Sequence, residues 1–181
     1  MGAYYQAVID KEKRYSTWES TNDGAKLMEH SYMFNDYVNG VLNMTDGKSF
    51  KLDWLCDYHE AEDAEDYTWS TTKECKKFHG KEYLGFAPGY ILNHTKECYI
   101  DNIQLISLYY THNPSSYNGF YIHPLPILCN SDREAQGGGD FNKEDIRRGT
   151  WRNDDLQILW DNSDISSDYK NITSDCMFYE D

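Results

Sequence analysis

Basic residues are scarce in this chain: 17 lysines and arginines stand against 31 aspartates and glutamates, a formal charge of −14. A field of that sign repels phosphate backbones, so general nucleic-acid binding would need strong local compensation. It attracts basic partners instead. Among these are nucleic-acid-binding proteins, whose grooves accept about one negative charge per 1.7 Å of duplex. Cysteine is sparse too. The five cysteines are odd in number, form no CxxC pair and are too few for a disulfide framework, which predicts reduced thiols. No apolar run reaches 18 residues, and the start, Met1 to Gln6, has neither a basic n-region nor an apolar h-region. The expected location is therefore the cytosol. No long Pro/Gly/Ser linker and no internal repeat divides the 181 residues, which predicts a single domain over 1–181.

What the chain has in quantity is tyrosine. With 39% hydrophobic residues and 16 tyrosines, it holds enough apolar surface to offset the entropy of ordering the backbone, which a disordered acidic tail would lack. Tyrosine rings also give rigid contact area at modest entropy cost and are enriched at interfaces.

Patterning predicts an α+β fold: a mainly antiparallel sheet with one long N-terminal helix packed on it. Tyr5, Ala7 and Ile9 alternate, and Tyr15 and Trp18 follow a charged Asp10-Lys11-Glu12-Lys13 turn, which reads as an opening hairpin. Leu27, Phe34, Val38, Val41 and Leu42 recur at helical spacing behind Thr21 or Asn22 as caps, up to Gly47. Residues 50–55 alternate as a third strand ending near Cys56. Tyr90-Ile91-Leu92 and Cys98-Tyr99-Ile100 flank a turn as a second hairpin, while Ile103, Leu105, Ile106 and Leu108 fit either element. His123-Pro124-Leu125-Pro126 predicts an edge strand or extended loop, because pre-proline residues favour extended geometry. Gly137-Gly138-Gly139 marks a loop, and residues 156–160 a final strand. The acid-rich segment 161–181 is expected to fray.

Several constellations bear on function. Residues 57–66 carry six acids and no base, namely Asp57, Glu60, Glu62, Asp63, Glu65 and Asp66, and 153–181 add eight acids against Lys170 alone. The first tract reads as a Mg²⁺ holder, a phosphate mimic or a solvated loop, and the two tracts together could line one face. Lys26 and His30 share a helical face with Glu29 beside them, and His123 is held by Pro124 in a fixed segment. An imidazole titrating near neutrality is a common general acid or base. The bland alternatives are a wet helix face and a buried core histidine. The triple glycine before Asp140 offers an anion nest, but no Lys-Ser or Lys-Thr follows to make a P-loop. His59 lies near Asp57 and Glu60 without HExxH or Cys/His spacing, so neither metal nor cofactor is expected. Two basic islands remain, Lys73, Lys76, Lys77 and Lys81 beside His79, and Lys143, Arg147, Arg148 and Arg152 beside Trp151. Either offers phosphate contact and stacking to an RNA segment, with Arg147, Arg148, Trp151 and Arg152 as the RNA-binding candidates, and surface solubility is the bland alternative.

The runs GAKLMEHSY (24–32), WLCDY (54–58), LNHTKECYID (92–101), IHPLPILC (122–129) and GGGDF (137–141) together resemble a family of small proteins carried by phages and mobile elements of Firmicutes. In length and style the chain is similar to type II-A anti-CRISPR proteins, one kind of which provokes guide-RNA truncation. The resemblance carries no residue roles with it. It implies an inhibitor of a bacterial defence nuclease in the host cytosol, acting on an RNA-guided effector and its guide RNA. The enzyme alternative is a ribonuclease with His30 and His123 as acid and base, Lys26 stabilising phosphate charge and Asp140 in support. A second alternative is an acidic phage protein that binds some other basic partner.

Overall fold

Alternation at the start of the chain becomes strand β1 (Tyr5–Ile9) in the computed structural model, which describes residues 3–9, 14–16, 26–33, 35–45, 47–60, 72, 76–77, 89–112, 121–131 and 147–178. All five β1 residues are buried, so both faces of the strand are covered. It pairs antiparallel with β2 (Arg14–Ser16), as the opening hairpin requires, and with a strand from the middle of the chain. That middle segment is two strands rather than one. Ser49–Phe50 forms β3, Leu52–Cys56 forms β4, and exposed Lys51 alone separates them. The four-stranded sheet runs β4-β1-β2-β5, with β5 at Lys76–Lys77. The five-stranded sheet runs β3-β8-β6-β7-β9, built from β6 (Tyr90–Asn93), β7 (Cys98–Asp101), β8 (Leu156–Leu159) and β9 (Lys170–Asn171).

The fold is α+β, but the sheets are mixed rather than mainly antiparallel: β5 runs parallel to β2, and β9 parallel to β7. Both strands reach their sheet edges after long excursions, where no tight hairpin fixes direction. The hairpin β6–β7 stands as expected, with Ile91 opposite Ile100. The strand at 156–159 is not the last. It lies inside its sheet, between β3 and β6.

No single long N-terminal helix forms. Helix α1 (Leu27–Ser31) stops, and α2 (Asp36–Met44) begins afresh after Asn35. The break is the work of one side chain. Asn35 Oδ1 accepts the Val38 amide at 2.9 Å, while its Nδ2 donates to the freed carbonyls of His30 and Tyr32. One amide thus caps the second helix and satisfies the end of the first, while Tyr32 bridges to Ile122. Asn35→Ala is expected to cost about 1–2 kcal/mol in urea denaturation, near the upper end for a lost cap because carbonyls are orphaned too.

The ambiguous apolar run 103–108 lies in α3 (Asn102–His112), whose start is capped by Asp101: Oδ1 accepts the amides of Ile103 and Gln104, each at 2.9 Å. The Pro124 and Pro126 segment is not extended after Ile122. It opens a one-turn helix, α4 (Leu125–Leu128), with Pro124 at φ −70° and ψ −23° as cap. First-turn amides have no intrahelical acceptor, so proline loses nothing there. Residues 161–178 are folded back instead of fraying. Beyond β9, a 3₁₀ turn (Thr173–Cys176) leads to buried Phe178, whose amide donates to the Tyr109 hydroxyl at 2.9 Å.

Side chains from both sheets and all four helices meet in one apolar cluster that includes Tyr5, Leu27, Val41, Trp54, Ile91, Leu105, Leu125 and Ile158. Cys56, Cys98, Cys129 and Cys176 are buried, and burial pushes the Cys98 thiol up to about 11. Cys75 and the triple glycine lie outside the described residues. Among the described residues, no helix is long and apolar enough to cross a membrane.

Candidate functional site

The two histidines singled out as an acid/base pair do come onto neighbouring segments, since the His123 amide donates to the Ser31 carbonyl at 2.6 Å. Their surroundings differ from those of a catalytic pair. His30 is fully buried, its Nδ1 accepts the Trp54 indole N–H at 2.9 Å, and its ring stacks on Tyr37 with centroids 3.7 Å apart. His123 is 1% exposed, and its Nδ1 accepts the Leu125 amide at 3.2 Å. Burial pushes its pKa down to about 3, so the ring stays neutral through the physiological range. Both imidazoles are closed off from solvent. Lys26 lies elsewhere, with Nζ 4.8 Å from the Tyr4 ring centroid and donating to the Ala3 carbonyl. Asp140 lies outside the described residues.

Of the second basic island, Arg147, Arg148, Trp151 and Arg152 make contacts within the fold, and Lys143 lies outside the described residues. Trp151 is 2% exposed and Arg148 is 4% exposed, so neither ring nor guanidinium faces a nucleic acid. Arg152 donates twice to Asp53 Oδ2, at 2.9 and 3.1 Å, and its Nη2 lies 3.0 Å from His59 Nε2. Arg147 stacks over Phe178 and donates to the Asp175 carbonyl. Trp151 packs in the core, and Asp53 on β4 supplies a countercharge to the nearby Arg152 side chain. Of the first acidic tract, Asp57 is tied to Tyr4, whose amide donates to its Oδ1 at 2.9 Å, and Glu60 is exposed. Glu62, Asp63, Glu65 and Asp66 lie outside the described residues.

A cleft absent from the sequence-level candidates opens on the outer face of the five-stranded sheet. Register places Tyr90 opposite Asp101 and Leu92 opposite Tyr99, so Tyr90, Tyr99 and Asp101 share the face turned away from Ile91 and Ile100. The Tyr90 and Tyr99 rings meet edge to face, 6.1 Å between centroids at 61°. The loop after β8 folds over them and brings Ile165, Ser166 and Tyr169 to the opposite wall, enclosing about 290 Å³. Tyr169 is positioned by His94, whose Nδ1 lies 2.7 Å from the phenol oxygen while Nε2 lies 3.0 Å from Gln157 Oε1. With Nε2 carrying the proton toward the amide oxygen, Nδ1 accepts from the tyrosine.

The electrostatics of the cleft are negative. Partial burial raises the Tyr90 pKa, and Asp101, Tyr99 and Asp161 raise it further, because each resists a second negative charge. Hydrogen bonds from the Ser163 hydroxyl and amide hold the Asp161 carboxyl below its usual range, so it stays ionised. Asp164 and Asp168 are exposed in the same loop. Aromatic faces beside carboxylates suit a guest that carries positive charge. Two-residue alternation in the hairpin could have placed Tyr90, Tyr99 and Asp101 on one face. Nothing local signals Tyr169. Comparison with protein-family models, curated proteins and solved structures gave no match.

Proposed function

We propose that this chain is an acidic binding protein that occupies the nucleic-acid groove of a basic partner, and that the partner is an RNA-guided nuclease of bacterial defence carrying its guide RNA. On this reading it works as a phage-encoded inhibitor in the host cytosol. The observation that carries it is an asymmetry of charge: Arg148 and Arg152 are consumed inside the fold, while Glu60, Asp161, Asp164, Asp168 and Asp175 remain exposed. Among the described residues, two bases are thus withdrawn from the surface while these five acids stay on it, which favours long-range steering toward a positive channel. The buried imidazoles lend no support to guide-RNA cleavage by a histidine pair.

The test is a binding and cleavage assay with a type II effector ribonucleoprotein. Wild-type protein is expected to bind, to block target cleavage and to leave the guide RNA at full length. The triple variant Asp161→Asn, Asp164→Asn, Asp168→Asn is expected to associate about tenfold more slowly at low salt, with the difference closing as ionic strength rises. Unimpaired target cleavage at saturating protein overturns the proposal. Shortened guide RNA would move the activity to an enzyme.

A further inference from the structure

We propose that the cleft between β6, β7 and the loop at 160–169 is the seat of a single arginine side chain presented by the basic partner. This deepens the binding reading above and rests on it for the partner's identity, though not for the chemistry of the cleft. The volume, about 290 Å³, falls at the foot of the roughly 300–1,000 Å³ range of sites for whole small molecules, and suits one long side chain better. Three phenol rings line it, and a planar guanidinium stacks on such faces more readily than a hydrated ammonium does.

Asp101 supplies the countercharge. Only its Oδ1 is engaged by the Ile103 and Gln104 amides, which leaves Oδ2 to accept a guanidinium N–H. Tyr90 sits directly opposite Asp101 in the strand pairing, so ring and carboxylate are presented side by side. Asp161, near enough to act on the Tyr90 phenol, adds negative potential that disfavours a phosphate or carboxylate guest. A neutral guest would forgo the carboxylate altogether.

The probe is N-acetyl-arginine-N-methylamide, titrated into the full chain and followed by NMR of the Tyr90, Tyr99 and Tyr169 ring resonances. Its citrulline counterpart serves as the uncharged control. Saturable shifts are expected with arginine and none with citrulline. Asp101→Asn keeps an oxygen for the helix cap while removing the charge, and is expected to weaken the probe about tenfold. Tyr99→Leu is expected to weaken it about threefold, whereas Tyr99→Phe, which keeps the ring, leaves it within about twofold of wild type.

Equal responses to arginine and citrulline, or unmoved tyrosine resonances in wild type, overturn the assignment. Unchanged affinity in Asp101→Asn overturns it as well. Failure of this inference is separable from failure of the broader reading. If the probe does not bind but the effector is still inhibited, the cleft assignment falls alone. If the probe binds but the effector is untouched, the cleft stands and the identity of the partner falls.

Discussion

Removing Arg152 alone, as Arg152→Met, is expected to destabilise the protein by about 3–5 kcal/mol, because the buried Asp53 carboxylate would lose both guanidinium hydrogen bonds and the charge that face its Oδ2. The side chains of this pair are 8% and 3% exposed, and the guanidinium reaches Oδ2 through two of its nitrogens. Asp53→Asn should be costly for the converse reason, since the largely buried Arg152 guanidinium would lose the carboxylate charge it donates to. The double variant Asp53→Leu, Arg152→Met is expected to recover most of the loss, since a buried ion pair contributes little net stability over apolar replacements of similar volume. Urea denaturation of the two singles and the double closes the cycle. Additive losses would show that the two charges do not rely on each other. The same experiment separates a structural Arg152 from one that contacts nucleic acid, since the latter would lose affinity with its stability intact.

Acid should expose the second buried group. His123 has an ordinary imidazole pKa of 6.5 in the unfolded chain, and burial lowers it to about 3 in the fold. Between those values the unfolded chain binds a proton that the folded chain refuses, so stability falls as pH falls through that window. The contribution is complete above pH 6.5 and exhausted near 3. From pH 7 to pH 4 the loss is about 3 kcal/mol from this residue. Carboxylates titrate over part of the same range, so the comparison is with His123→Asn, whose side-chain oxygen can still accept the Leu125 amide. The variant is expected to start less stable at pH 7, for lack of ring packing, and to lose markedly less on acidification. Parallel curves for the two proteins would place the acid sensitivity elsewhere.

Local pattern sufficed where partners are near in sequence. The hairpin β6–β7 needs only its turn and its alternation, and the opening hairpin β1–β2 is of the same kind. The helix expected from Leu27 to Gly47 was legible in its periodicity and illegible in its break, because Asn35 among polar neighbours looks like a wet face until its amide is seen holding both helix ends. The alternation at 50–55 was correctly read as extended. Its division between two sheets depends on β1 and β8, which lie far off in the chain. The functional candidates suffered in the same way. A cluster of arginines beside Trp151 reads as a basic patch unless Asp53, about a hundred residues earlier, is known to face it. The proximity of His30 and His123 was not derivable from spacing. The cleft is half legible: its floor is the hairpin, and its roof is a loop that sequence alone assigned to a loose tail.

The division at Lys51 sets an order of events during synthesis. Strand β4 finds its partner β1 already made, but β3, one residue away, must wait for β8, with Ser49 pairing to Gln157 and Phe50 to Leu156. At about 5–20 residues per second, that wait is on the order of 5–20 s after β3 is made. Until then the nascent chain holds one sheet able to close and the first strand of another with an open edge. The cleft, whose far wall comes from the loop after β8, therefore forms after the four-stranded sheet is able to close.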